Sequence, residues 1–177
     1  MMDAIYRVDG DRIHVNPNAA GPWDGAMQHG SAPAALAVWA AETIPTKVAM
    51  QIARVTIDLM RPVPLAPLTL RTEVLREGRK IQLCAVKLYA DDVAVAVASV
   101  LKVRVEPQAL PPEIADLPAG QPGPDASFPE PADFSASPFV KGMSLRSARG
   151  RFGLPGPGAI WYRVDRPICN LRATSDI

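Results

Sequence analysis

The stretch that decides how this chain folds is His29-Gly30-Ser31-Ala32-Pro33-Ala34-Ala35-Leu36-Ala37-Val38-Trp39-Ala40-Ala41-Glu42-Thr43. From Ala32 to Thr43 it is Ala, Leu, Val and Trp on nearly every side, the pattern of a helix buried on most of its faces. Ser31 stands where a hydroxyl can cap the first turn. Pro33 falls where a missing N–H costs nothing. Pro45 ends the helix. At about 1.5 Å per residue it is roughly 18 Å long, the length of an ordinary strand.

Outward from the helix the pattern changes period. Upstream, Ala4–Val8 and Arg12–Val15 flank Asp9-Gly10, a dipeptide suited to a tight hairpin. Asn16–Gln28 mixes Asn, Pro and Gly around Trp23 and reads as a shaped loop. Downstream come four strands. In Ile52–Met60, Val55, Ile57 and Leu59 alternate with Arg54, Thr56 and Asp58, which predicts one buried and one polar face. Leu68–Arg76 alternates likewise. Glu77-Gly78 turns the chain into Lys80–Ala90, and Asp91-Asp92 turns it into Val93–Val105. That last run is apolar on both faces, which predicts a central place in the sheet. Every connection is short, so the predicted sheet is an antiparallel meander. One apolar sheet face and one apolar helix predict an α+β domain whose sheet curls around the helix.

Bulk properties exclude several classes. A formal net charge of +1 lacks the basic excess of nucleic-acid binders. No run reaches the ~18 apolar residues that cross a bilayer, and Met1–Gly10 carries charges where a signal peptide needs an apolar core. Cys84 and Cys169 are too few and too scattered for a disulfide framework or a zinc site. The expectation is a cytoplasmic protein with reduced thiols, no metal or redox cofactor, and no nucleic-acid or membrane partner.

Of 19 prolines, nine fall between Val105 and Val140. Proline lacks a ladder donor and holds the preceding residue extended, so this stretch reads as a linker. The expected organisation is a complete domain over 1–105, a Pro-rich linker over 106–133 and a second unit over 134–177. In the second unit Met143–Gly150 and Ala159–Val164 read as strands joined by Gly153–Gly158, and Leu171–Ile177 as the opening of a helix. The plan of the first domain thus begins again and breaks off. The 44 residues from Phe134 to Ile177 lie near the floor of about 40 for independent folding, so this unit is expected to need a partner or more chain.

Five short motifs occur in a telling order. They are His29-Gly30 before an Ala-rich helix, Leu59-Met60-Arg61-Pro62 closing a strand, Leu75-Arg76-Glu77-Gly78-Arg79 at a hairpin, the Val/Ala strand to Val105, and Trp161-Tyr162-Arg163 followed by Ala173-Thr174-Ser175-Asp176-Ile177. In this order they resemble the hotdog-fold acyl-CoA thioesterases, specifically the double-hotdog group typified by the type II medium-chain enzymes. The resemblance implies a hotdog fold, two hotdogs side by side with joined sheets, and hydrolysis of an acyl-CoA thioester, with coenzyme A present only as part of the substrate. It implies that Asp176, in the pair Ser175-Asp176, orients the attacking water with help from a hydroxyl residue and a glutamine on later strands. Two departures stand out. The type II pattern has Gly-Gly where this chain has His29-Gly30, and the helix lacks that group's glutamine.

Each candidate residue also has a plainer reading. Asp176 is a water-orienting carboxylate or a solvated aspartate. His29 and Gly30 lie at a helix N-terminus, where free N–H groups and the helix dipole favour developing negative charge. Otherwise they form a structural turn, with His29 packed beside Trp23. Asp24 and His29 are spaced like the dyad of hotdog enoyl-CoA hydratases, but without that family's Asn-Pro. Arg76, Arg79 and Lys80 could meet coenzyme A phosphates or solubilise a hairpin. Cys84 and Trp39 read as core, and Arg61 as a strand-ending charge in water. The rivals to hydrolysis are hydration of an enoyl-CoA and non-catalytic acyl-CoA binding or assembly. An unpaired strand edge predicts a homodimer.

Overall fold

The computed structural model describes residues 4–109, 111, 120–131 and 135–171. The chain divides into two units, one comprising Met1–Val105, Ser137–Phe139 and Arg166–Ile177, the other Glu106–Ala136 and Val140–Asp165. The organisation expected from sequence, 1–105, 106–133 and 134–177, follows chain order. The structure draws 137–139 and the segment from Arg166 into the first unit instead.

The first unit holds β1 (Tyr6–Asp9), β2 (Arg12–Val15), α1 (Ser31–Thr43), β3 (Met50–Leu59), β4 (Leu68–Glu77), β5 (Ile81–Ala90), β6 (Val93–Arg104) and β10 (Cys169–Leu171). These strands form one sheet in the order β10-β1-β2-β4-β5-β6-β3. Neighbours are antiparallel except β10, which runs parallel to β1 with Cys169 opposite Tyr6. The helix and strand boundaries follow the sequence reading closely. Tight turns account for the hairpins: Gly10 has φ +63 between β1 and β2, and Asp91 and Asp92 have φ 46 and 64 between β5 and β6. Two consecutive positive φ values match the right-handed twist of the flanking strands.

Helix α1 lies against β5, β6 and β3. Its Ala37, Ala40 and Ala41 pack on Val86, Ala98 and Val100, with Trp39, Ile52, Ile57 and Leu70 around them. Cross-strand pairs place Val86 and Ala98 side by side beneath the helix, and the small alanines let the two layers approach closely. Leu36 is fully buried, a contribution of about 1.5–3 kcal/mol. Register shifts at Ile52/Arg54, Val74/Arg76 and Leu88/Tyr89 add local twist, so the sheet curls about the helix.

The C-terminal end of α1 is held by buried polar groups. Lys102 Nζ donates to the Ile44 carbonyl at 2.9 Å, and Gln82 Nε2 donates to the Pro45 carbonyl at 2.9 Å. Lys102 and Gln82 face one another across β5 and β6. A cation here meets the negative end of the helix dipole.

Three expectations are corrected. The sheet is not a meander throughout, because β3 pairs with β6 and is separated from β4 by two strands. The connection at 60–67 therefore crosses strands instead of closing a hairpin. The apolar face of β3 is only partly buried: Ile57 packs at the margin of the core, whereas Val55 is 38% and Leu59 49% exposed on this edge strand. Ser31 does not cap α1. The cap position is Gly30, with no side-chain hydrogen bond there. Cys169–Leu171 is a strand; the helix opening expected over Leu171–Ile177 lies, apart from Leu171, outside the described residues.

The second unit has β7 (Phe128–Pro129), β8 (Met143–Arg149) and β9 (Ala159–Val164) in a sheet ordered β7-β8-β9. Two carboxylates stitch it. Glu130 takes hydrogen bonds from the Ser147 hydroxyl and, at 3.2 Å, from the Phe152 N–H. Asp165 takes them from the Ser144 hydroxyl and, at 2.7 Å, from Arg163 Nε. These bonds hold both carboxyls below their ordinary pKa, the serine hydroxyl being the larger cause in each.

Candidate active site at the N-terminus of the helix

The loop before α1 is fixed strand by strand. The Gly21 N–H bonds the Met27 carbonyl at 3.0 Å, and the His29 N–H bonds the Ala19 carbonyl at 2.8 Å. The crossing segment after β3 is tied to the same loop by Gln28 N–H to the Val63 carbonyl and Leu65 N–H to the Ala26 carbonyl, each 2.8 Å. Gln28 is the centre of this frame. Its Oε1 accepts from the Tyr6 hydroxyl at 2.5 Å, and its Nε2 donates to the Pro64 carbonyl at 2.8 Å. Tyr6 is fully buried, and that burial raises its pKa, keeping the phenol a donor. One amide thus joins β1, the loop and the crossing segment.

Between loop and crossing segment lies a cleft of about 590 Å³, walled by Trp23, Met27, Leu59, Met60 and Val63, with Gly30 in its lining. The wall is mostly apolar, with Asp24 and Arg61 on it. Gly30 has φ −56 and ψ −26, already helical. The His29 carbonyl accepts the Ala32 N–H at 2.8 Å. In a trans peptide the N–H points opposite to the carbonyl, so the Gly30 N–H points out of the helix end. Among the described residues it meets no acceptor. A Cβ on Gly30 would come within 3.3 Å of Leu59 Cδ1, a side-chain tip that can give by a few tenths of an ångström.

His29 stands at the start of the helix, as both sequence readings have it, but its side chain has a different neighbour. Its ring does not line the cleft and does not pack on Trp23, which is 95% exposed. It stacks on Phe139 with centroids 5.0 Å apart and planes inclined by 13°. Its Nδ1 accepts the Ser31 N–H at 3.2 Å. Burial lowers the imidazole pKa from its ordinary 6.5. Sequence reasoning missed Phe139, Gln28 and Tyr6, because nothing in local composition marks a residue 110 positions downstream (139 − 29) as a neighbour.

The remaining candidates are dispersed. Asp24 lines the cleft, and its Oδ1 accepts the Ala26 N–H at 2.8 Å. Asp176 and Ser175 lie outside the described residues. Arg76, Arg79 and Lys80 sit at the exposed β4–β5 hairpin. Leu59 pairs with Ala96 and through it with Leu88, whereas Ile81 begins β5. Seven residues of strand therefore separate the hairpin from the cleft end, roughly 23 Å. Cys84 and Cys169 are free thiols; burial raises both, Cys169 to about 12, so neither offers a thiolate at neutral pH. Among the described residues no cluster of three or more His, Cys, Asp or Glu could hold a metal ion. No helix among them is long and apolar enough to cross a membrane.

A curled antiparallel sheet around one helix is a hotdog fold. Structural relatives agree. A conserved hotdog-fold protein of unknown function from Alicyclobacillus acidocaldarius superposes with TM-score 0.68 at 19% identity, covering 90% of this chain and 60% of that one. A candidate thioesterase from Novosphingobium aromaticivorans gives TM-score 0.64 at 25% identity, covering 93% and 66%. A candidate thioesterase II from Thermobifida fusca gives 0.55 at 17%, covering 80% and 51%. The chain thus spans less than two thirds of the length of these relatives. Among curated proteins none matches at a significant level. Residues 19–103 match the family model of the acyl-CoA thioesterase N-terminal domain. That stretch, a little under half of the chain, is similar to this family's domain and in that sense thioesterase-like.

Proposed function

We propose that the first unit supplies a site for hydrolysis of an acyl-CoA thioester, fatty or short and branched, by direct attack of water without a covalent intermediate. The observation that carries this reading is the Gly30 N–H. It stands without an acceptor among the described residues, at the positive end of α1, on a residue that lines an apolar cleft. A thioester oxygen placed there is polarised, and the tetrahedral oxyanion that forms as water attacks is stabilised more than the ground state. The thiol leaves readily, so positioning and oxyanion binding carry most of the work. Asp176 is the proposed water-orienting carboxylate, on the strength of its motif. The wall of Trp23, Met27, Leu59 and Met60 suits an alkyl chain or the pantetheine arm.

The hydratase reading has less support: Asp24 lines the cleft, whereas His29 is not among its lining residues and engages Ser31 through Nδ1 and Phe139 through its ring face.

The proposed assembly is a homodimer through β3, whose outer edge has no strand neighbour among the described residues. Antiparallel pairing of two β3 strands about Val55 would set Leu59 of one copy near Gln51 of the other. Gln51 lies at the end of the sheet that carries the 77–81 hairpin, since both Gln51 and Ile81 pair with Val103. The basic residues Arg76, Arg79 and Lys80 of one copy would then lie on the same side as the cleft of the other, available to coenzyme A phosphates.

The test is thiol release from saturated acyl-CoA by the purified chain, with Gly30→Pro and Gly30→Ala. The φ of −56 suits proline. Proline removes the N–H and is expected to lower kcat by about 100-fold or more, whereas alanine keeps it and retains most of kcat. Equal rates in folded Gly30→Pro and the native chain would remove the Gly30 N–H from the mechanism, and binding with no thiol release would overturn hydrolysis in favour of a binding module. Loss of enoyl absorbance without thiol release would favour the hydratase.

A further inference from the structure

Ser137–Phe139 lies against the loop that frames the cleft. Ser137, fully buried, donates its hydroxyl to the Ala20 carbonyl at 2.9 Å, and the Phe139 N–H reaches the same carbonyl at 3.3 Å. Arg166 Nη1 holds the Pro138 carbonyl at 3.2 Å. Phe139 is 3% exposed, and its ring lies flat on His29.

The His29 side chain sits at a junction of consequence. A nitrogen that accepts a hydrogen bond carries no proton, so an imidazole bonded through Nδ1 to the Ser31 N–H is neutral and protonated at Nε2. The backbone of the same residue forms the peptide that ends in the Gly30 N–H, and its carbonyl holds Ala32. Side chain and main chain of His29 together therefore fix the first turn around that N–H. The aromatic face of Phe139 could favour an imidazolium, but a protonated Nδ1 would have to release Ser31. No charged side chain occurs in the packing segments Ala19–Gly21 and Ser137–Phe139. The charged groups bordering this region are Arg166 on the Pro138 carbonyl, and Asp24 and Arg61 on the cleft wall.

We infer that Phe139 is a positioning residue: by stacking on His29 it holds the imidazole as the neutral acceptor of the Ser31 N–H and so aims the Gly30 N–H into the cleft. Its effect on activity rests on the thioesterase reading, but the inference about His29 does not.

The experiment therefore has two arms on the full chain. In the first, nitrogen-15 NMR reads the His29 tautomer and titration in the native chain, Phe139→Leu and Phe139→Tyr. The native ring is expected as the Nε2–H tautomer with a titration midpoint below 6.5. Phe139→Leu is expected to mix the tautomers and raise the midpoint, because water reaches the ring, and Phe139→Tyr to restore native behaviour. In the second arm, Phe139→Leu lowers kcat for acyl-CoA by up to about 100-fold with KM little changed, and tyrosine rescues it. An unchanged His29 tautomer and midpoint in folded Phe139→Leu overturns the inference. Should leucine unfold the chain, the same reading is taken from Phe139→Met, which preserves more volume. If the native chain releases no thiol while the NMR shifts appear as expected, the hydrolysis reading fails and the positioning inference stands.

Discussion

Gln28 shows how much one side chain can organise. Its amide satisfies the buried Tyr6 hydroxyl and the Pro64 carbonyl together. Gln28→Ala leaves both without a partner, and an unsatisfied buried polar group costs about 1–3 kcal/mol. Urea denaturation of Gln28→Ala should show a loss of that order with an unchanged m-value. Tyr6→Phe, which strands only the Gln28 oxygen, should lose less. His29 adds a pH dependence of known sign. Its folded pKa lies below the ordinary 6.5 because of burial, so between those two values the unfolded chain binds more protons. The stability it contributes is complete above about pH 6.5 and is lost as the pH falls toward its folded value. Melting temperatures across that window should fall less in His29→Gln. The sequence showed His29-Gly30 as a helix start. It could not show what the imidazole touches, because Phe139 arrives from beyond the proline-rich stretch.

At the scale of elements, the helix and the long strands were legible because each carries its period, 3.6 or 2, within its own residues. Pairing was not. Alternation in Ile52–Leu59 marks an apolar face but does not say whether anything covers it, so edge and centre read alike. The capping of α1 was hidden for a similar reason: Lys102 and Gln82 lie on strands 58 and 37 residues from the carbonyls they hold. Lys102→Met keeps the buried stem but strands the Ile44 carbonyl at the negative end of the dipole. A loss of about 1–3 kcal/mol is expected. Thermal unfolding monitored at 222 nm should reveal it, while an unchanged melting curve would show that water replaces the ammonium.

At the scale of the whole molecule, the open side of β3 is the feature that bears on assembly. Val55 and Leu59 expose apolar surface there, and a long unpaired edge is a template for another strand. Sedimentation at micromolar concentration should find the native chain as a dimer and Val55→Glu shifted toward monomer. If the proposed sharing of the basic hairpin holds, replacing Arg76, Arg79 and Lys80 by alanine raises KM for acyl-CoA while leaving kcat. A native monomer with full activity would remove the assembly from the mechanism without touching the Gly30 site.

The tight turn at Asp91-Asp92 has a consequence in time as well as in geometry. It closes β5 onto β6 with the least chain of any long ladder in the sheet, so little entropy is lost before the pairs begin to form. This ladder also carries Val86 and Ala98, the surface on which the helix rests. On loop length alone folding is expected to start with this local ribbon, on which α1 settles, while the ladders that close longer loops, β3 on β6, β2 on β4 and last β10 on β1, follow.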